Sequence, residues 1–460
     1  VTAAQILTLL ALVAIAAGMG WARWFRPAVF WALVGLPLVL ARVAFTYYAT
    51  MDVCGLTVPP TRWQIWLQRA VSPEREIRPV PPKIRRIRPT ATGLRLRLRL
   101  APGQEPADVA AASERLRHTW GVHGVHVRPI KPGVIELRLV GYDVLRRVAM
   151  PRKTPAAEAL RIPIALRDDA TVFMRDYRVS PHAMTLGATL SGKSVYLRNL
   201  ITGLARQRVA LVGIDCKRGV EQAPFAPRLS ALATDQDQAA ELLPLLVAEM
   251  EARYDLIRAR QGIAPGVAAE EIAADIWDLP EKIRPVPIVL LVDEVAELFL
   301  VATAKDEKRR DQMVTDLIRL AQLGRAAGMF MEICGQRFGS ELGKGATMLR
   351  AQLTGRVVHR VNDVETARMG LGDVAPEATA AACEIRPDRP GLAVVGDTSG
   401  GWSRIRTPLL TMRDAVTVCR QFAHLTPELP ALARFRPFVP APADAPADLP
   451  PLIRPLPVAE

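Results

Sequence analysis

Cysteine is scarce and scattered in this chain. The five cysteines among 460 residues, Cys54, Cys216, Cys334, Cys383 and Cys419, form no CxxC pair, and the six histidines do not cluster with them. This excludes a disulfide framework and a zinc site of the usual spacing, and fits a reducing compartment for most of the chain. Acidic residues are also short: 46 Asp and Glu stand against 60 Lys and Arg, a net charge of +14. Such an excess fits a polyanionic partner, either nucleic acid or an anionic membrane surface, unless an arginine-rich coding bias accounts for it. The opening residues show neither the basic start nor the small-residue cleavage site of a secretory signal.

Charge is absent altogether from AAQILTLLALVAIAAGMGW (Ala3 to Trp21), a run long enough to cross a bilayer. A second apolar run, AVFWALVGLPLVLARVAFTYY (Ala28 to Tyr48), is interrupted only by Arg42. Residues 1–50 therefore read as a membrane hairpin, two spans joined by a turn that holds Arg23 and Arg26. Both ends then lie on one side, and the dense arginines after Arg62 place that side in the cytoplasm. The basic turn counts against this arrangement. The alternative is one span followed by an interfacial segment whose Arg42 reaches the headgroups.

Residues 51–91 are rich in proline and arginine, with PEREIRPVPPKIRRIRPT at their end, and read as an extended basic connector. From 92 to 155 a small β-α-β-β domain is expected. It opens on LRLRLRL (Leu94 to Leu100), whose period-two alternation buries leucines on one face and leaves Arg95, Arg97 and Arg99 on the other. That arginine face is either merely solvated or turned toward DNA. Residues 156–422 alternate strands with helices, and 423–460 form a Pro-rich tail poorly suited to a core.

The long central segment carries the chemistry. GATLSGKS (Gly187, Ala188, Thr189, Leu190, Ser191, Gly192, Lys193, Ser194) fits the phosphate-binding loop pattern in full, between a short apolar strand and a helical stretch. In that pattern the glycines let backbone amides converge on phosphates, the lysine reaches the β and γ oxygens, and the Ser194 hydroxyl ligates Mg²⁺. PVPIVLLVDEVAEL supplies a buried, parallel strand that ends in Asp293 and Glu294. At such an edge Asp293 can hold Mg²⁺ through water, and Glu294 can polarise an attacking water, so ATP hydrolysis rather than mere binding is expected. MFMEICGQR places Gln336 at the end of a neighbouring strand, where a polar side chain can sense the γ-phosphate.

Taken in order, GATLSGKS, IDCKRGVE, EMEARYDLIRARQ, VLLVDEVAEL, LAQLGRAAGM and GQR resemble the FtsK/SpoIIIE family of DNA-translocating ATPases over roughly Val179 to Asp397. The N-terminal segments look similar to transfer proteins of actinobacterial conjugative elements. The resemblance implies an α/β fold: a RecA-like P-loop motor with a parallel, doubly wound sheet, preceded by the small α/β domain and the transmembrane hairpin. It further implies a homo-hexameric ring that threads double-stranded DNA, a place at the cell membrane with the motor in the cytoplasm, and ATP bound between subunits. By motif position Arg325 looks like the arginine that completes a neighbour's site; its plain alternative is a helix-terminal arginine on the macrodipole. Relatives often carry a further lysine where this chain has Val364, so that either Arg360 or Arg368 substitutes for it or the nucleotide contacts are weaker here, and many relatives append a winged-helix reader. The alternatives are a chromosome-segregation pump or a protein-secretion ATPase of the type VII kind. The latter usually carries several phosphate loops, whereas this sequence shows one.

Overall fold

The computed structural model describes residues 3–60, 65–66, 70, 78–151, 159–261, 272–339, 342–372, 374–396 and 400–439. The chain divides into two compact units, residues 1–146 with 168–171, and residues 147–167 with 172–460.

The N-terminal unit is a four-stranded antiparallel sheet with helices against one face. Its strands are β1 (Lys83–Thr90), β2 (Gly93–Arg99), β3 (Gly124–Lys131) and β4 (Val134–Val140), ordered β1-β2-β4-β3. Alternation in β2 does what the pattern requires: Leu94, Leu96 and Leu98 are fully buried, while Arg95 and Arg99 are exposed. Between β2 and β3 run helices Pro106–Ala111 and Ser113–Trp120. The first is started by a reciprocal cap between Glu105 and Asp108, and the second is stopped by Gly121 at φ 66°.

Two boundaries differ from the sequence expectation. The sequence reads residues 51–91 as an extended basic connector, but the last of them form β1, paired along β2 from Lys83↔Arg99 to Thr90↔Gly93. An edge strand needs only one hydrogen-bonded side, so it tolerates the arginines and Pro89 that argued against structure.

The second apolar run also does not stand apart from the small domain. It forms helix Pro27–Val53, long and apolar enough to cross a membrane by length and composition, after a first helix, Ala3–Phe25. Its Trp31, Val39, Val43 and Met51 share one hydrophobic core with Leu94, Leu96, Leu98, Leu116 and Trp120. Arg42 does not reach outward to headgroups; its Nη1 donates to the carbonyl of Trp120 at 3.3 Å, at the negative end of the helix that Gly121 terminates.

The C-terminal unit is built on ten strands: β5 (Arg161–Arg167), β6 (Val172–Asp176), β7 (His182–Leu186), β8 (Ala210–Ile214), β9 (Leu229–Ala233), β10 (Ile288–Val292), β11 (Met329–Gly335), β12 (Gly355–His359), β13 (Leu392–Gly396) and β14 (Trp402–Arg406). Their order is β6-β5-β14-β13-β12-β7-β11-β10-β8-β9. The stretch from β12 to β9 is parallel, as continuous apolar runs such as Ile288–Val292 require. The doubly wound parallel sheet expected from sequence is thus only part of the whole, because β13, β14, β5 and β6 extend it antiparallel. Short connections join β5 to β6 and β13 to β14, and a hairpin cannot return a chain in parallel. Across the sheet Arg175 of β6 and Glu332 of β11 form a buried ion pair.

Part of the tail is structured too. Pro430–Phe435 forms a helical turn that buries Leu432 and Phe435, and the Pro427 carbonyl accepts from Ser230 at 2.8 Å. Two apolar side chains suffice to hold a proline-rich segment where its composition alone argues against packing; residues 440–460 lie outside the described residues.

Candidate nucleotide site

The parallel strands aim their C-terminal ends at one edge of the sheet, and the residues singled out in the sequence gather there. Gly187 follows β7, and the loop closes on helix Lys193–Ala205. A Cβ on Gly187 would stand 2.5 Å from Ser191 Oγ, and one on Gly192, at φ 105°, would stand 2.3 Å from the backbone N of Gly391. Both positions therefore demand glycine. The loop is tied to its surroundings by its backbone: Gly187 N donates to Gly335 O, Ala188 N to Arg360 O, and Gly391 N to Ser191 O. Thr189 and Leu190 are exposed, Leu190 with a positive φ of 62°. Among the described residues the amides of Lys193 and Ser194 have no backbone acceptor, so they remain available to an anion at the helix N-terminus.

Opposite the loop lie the carboxylates. Lys193 Nζ is 2.9 Å from Glu294 Oε2 and 3.5 Å from the Asp293 carbonyl. Glu294 is held from its other side by Gln336, whose backbone N donates to Oε1 at 3.1 Å. Gln336 directly follows β11, which lies between β7 and β10, and it is exposed. Asp293 is buried and pairs through Oδ2 with Lys217 Nζ at 2.9 Å.

No local pattern in the sequence assigns a role to Lys217, which the fold brings to Asp293. Burial pulls its pKa down, but the Asp293 hydrogen bond and the charges of Asp293, Glu294 and Asp215 outweigh that and raise it. Its place follows from register: Ile214 of β8 pairs with Val292 of β10, so the residues that follow each strand meet. Asp215, between them, is structural; it accepts backbone N–H bonds from Lys217, Glu221 and Gln222 and shapes the loop.

Arg325 lies elsewhere. It follows helix Ala304–Leu323 and precedes β11, whereas the phosphate loop adjoins the end of that strand at Gly335. Seven strand residues, about 23 Å, separate the two edges. Arg325 is exposed and pairs with no acid among the described residues. Its turn is anchored by the motif EMEARYDLIRARQ: Arg253 Nη1 donates to Ala327 O at 3.0 Å, and Tyr254 Oη to Leu323 O at 2.7 Å. Of the substitutes considered for a family lysine, Arg360 donates to the Thr189 carbonyl of its own loop at 2.9 Å, while Arg368 faces Glu365 at 3.9 Å; Val364 is half exposed.

Two histidines lie buried near this edge or along its strands. His359 contacts the loop glycine Gly187, bonds through Nδ1 to Leu392 O, and is pulled down to about 4 by burial; burial takes His182 to about 3. Each stays neutral in the fold while the unfolded chain takes up protons near pH 6.5. Their stabilisation is therefore present above pH 6.5 and is lost as the pH falls toward 4. For His359 this amounts to about 3 kcal/mol. The melting temperature should fall steeply between pH 6.5 and 4.5, and less steeply in His359→Gln; a flat wild-type profile would contradict the buried neutral assignment.

The donor set fits a nucleotide with Mg²⁺: open amides, one lysine, a hydroxyl at Ser194, and two carboxylates whose present partners are cations. Residues 15–141 match the actinomycete conjugal transfer protein N-terminal domain, and residues 144–340 match the FtsK/SpoIIIE family. The chain is 60% identical to transfer protein TraSA of Streptomyces ambofaciens over 397 residues, 86% of this chain and 95% of the relative. It is 31% identical over 230 residues to the DNA translocase FtsK of Tropheryma whipplei, which covers 47% of this chain and 29% of that protein. Among solved structures, the pCW3 conjugation coupling protein TcpA, a monomer form with ATPγS, aligns over 75% of this chain and 93% of its own with a TM-score of 0.53 and 17% identity, a likeness of fold.

Proposed function

This chain belongs to the FtsK/SpoIIIE family, with the N-terminal domain of the actinomycete conjugal transfer proteins, and we propose that it is an ATP-driven double-stranded DNA translocase of conjugative transfer. It works as a homo-hexameric ring anchored in the cell membrane, with the motor in the cytoplasm. The observation that carries this reading is the Lys193–Glu294–Gln336 chain at the strand ends. A nucleotide-binding loop alone would not need a carboxylate poised between the phosphate-sensing lysine and a backbone donor from the next strand.

Lys193 exchanges Glu294 for the β and γ oxygens of ATP, while the open amides of Lys193 and Ser194 take the phosphates. Glu294, relieved of its cation but still held by the Gln336 N–H, orients a water and accepts its proton. Ser194 and Asp293 would hold Mg²⁺, which supplies neutralisation of the phosphate charge. Lys217, partly exposed and free to turn outward, must release Asp293 for this, so it acts as the counter-ion of the resting site. Arg325 serves the neighbouring subunit, since its own phosphate loop lies at the opposite sheet edge.

Full-length protein in detergent micelles should hydrolyse ATP several-fold faster with long duplex DNA, and the stimulation should fade steeply between 50 and 200 mM salt because the contacts are to phosphates. A folded, ATP-binding protein that duplex DNA leaves unstimulated would overturn the translocase reading.

A further inference from the structure

We propose that the outer face of the N-terminal sheet docks the phosphate backbone of duplex DNA. The partner's identity rests on the translocase reading; the surface itself is defined by register. Between β1 and β2 the directly opposed pairs Lys83↔Arg99, Arg86↔Arg97 and Arg88↔Arg95 set cation against cation, while in the alternate pairs Ile84↔Leu98, Ile87↔Leu96 and Pro89↔Leu94 the leucines of β2 enter the core and Ile87 and Pro89 stay exposed on the edge strand. The row continues over the sheet, with Arg95 beside Arg138 and Arg97 beside Glu136. Then Arg138 is opposed by His126, and Glu136 by Arg128.

Like charges directly opposed on neighbouring strands destabilise a sheet, by up to about 1 kcal/mol per pair. Three such pairs in succession do nothing for the fold, which threonine or glutamine would serve as well. Among the described residues none of Lys83, Arg86, Arg88, Arg95, Arg97 and Arg99 forms an ion pair. Among the described residues Glu136 and Asp169 form their ion pairs with Arg138, at 2.8 Å and 2.7 Å. Burial raises the Glu136 pKa, but the hydrogen bond and charge of Arg138, with the charges of Arg95 and Arg97, hold it below the ordinary range. Side chains two residues apart rise about 6.8 Å along a strand, and strands lie about 4.8 Å apart. The six cations thus form a compact double row. Five of them are arginines, whose planar fork suits phosphate oxygens.

Lipid headgroups offer the same chemistry, but the apolar helix Pro27–Val53 packs on the other side of this sheet, sharing its core with Leu94, Leu96 and Leu98. Leu33, Leu38 and Phe45 of that helix are exposed and lie outside the core it shares with the sheet. The helix that would enter a bilayer is thus packed on the leucine face of β2, not on the face that carries Arg95, Arg97 and Arg99. Contacts confined to phosphates carry no base readout, as a track for any sequence requires.

The test uses the full chain in detergent, without nucleotide, and a 30-base-pair duplex of arbitrary sequence titrated over a salt series. The triple variant Arg95→Gln, Arg97→Gln, Arg99→Gln should lower the slope of log affinity against log salt by about 3, and its melting temperature should equal or exceed that of the wild type. The triple lysine variant should keep the slope. Arg86→Gln with Arg88→Gln, on the edge strand, gives an independent reading if the first variant fails to fold, with an expected fall of about 2. An unchanged slope in folded glutamine variants overturns the proposal; so does an unchanged slope joined to lost retention on phosphatidylserine vesicles, which would make the face a lipid contact. Absent stimulation of wild-type ATP hydrolysis by DNA would instead remove the translocase reading while the binding slopes stood.

Discussion

Glu294→Gln should cut ATP turnover by about 10³-fold while leaving nucleotide bound. The substitution keeps the size of the side chain and an oxygen that can accept the Gln336 amide, but it removes the charge that pairs with Lys193 and the base that takes a proton from water. Binding should hold or tighten, because Lys193 no longer has to leave an ion pair to reach the phosphates. Lys193→Ala should separate from it by losing binding as well as turnover. Fluorescent nucleotide titration beside single-turnover hydrolysis resolves the two, and normal turnover in Glu294→Gln would remove the assignment of the base.

Arg325→Ala should leave ATP affinity intact and lower hydrolysis in the assembled ring by about 10³-fold or more. Its own phosphate loop stands at the far end of β11, so the loss must come from the neighbouring site. The decisive comparison mixes Arg325→Ala subunits with Lys193→Ala subunits. Mixed interfaces join an intact loop to an intact arginine, and activity should reappear. Wild-type turnover in Arg325→Ala alone would return this residue to a helix-terminal role, and a loss that mixing fails to restore would remove its action on the neighbouring site. Tyr254→Phe, which deletes only the 2.7 Å bond to the Leu323 carbonyl, should give a milder loss of about 10-fold by loosening the turn that carries Arg325.

The apolar N-terminal segments show what hydropathy gives and what it leaves open. Hydropathy described the run from Ala28 to Tyr48 correctly as apolar, yet hydropathy does not distinguish lipid from protein as the apolar neighbour. Val39, Val43 and Met51 have the small domain's leucines as partners, and Arg42 has a helix-end carbonyl. In the connector, Pro89 and the arginines spoke against structure, but an edge strand with one solvated side accepts them.

By itself the sequence determined what contiguous residues encode: the GATLSGKS turn, the apolar run that delivers Asp293 and Glu294 to a strand end, the position of Gln336, and the leucine–arginine alternation of β2. Each is a local pattern whose physics, the backbone freedom of glycine or the period of a strand, operates within a few residues. Only the tertiary structure decided that Lys217 would meet Asp293 across 76 residues, that Arg253 and Tyr254 would hold the Arg325 turn, and that β1 would set its cations opposite those of β2. Those meetings depend on strand order and register, which are fixed by packing between distant segments and leave no mark in any one of them.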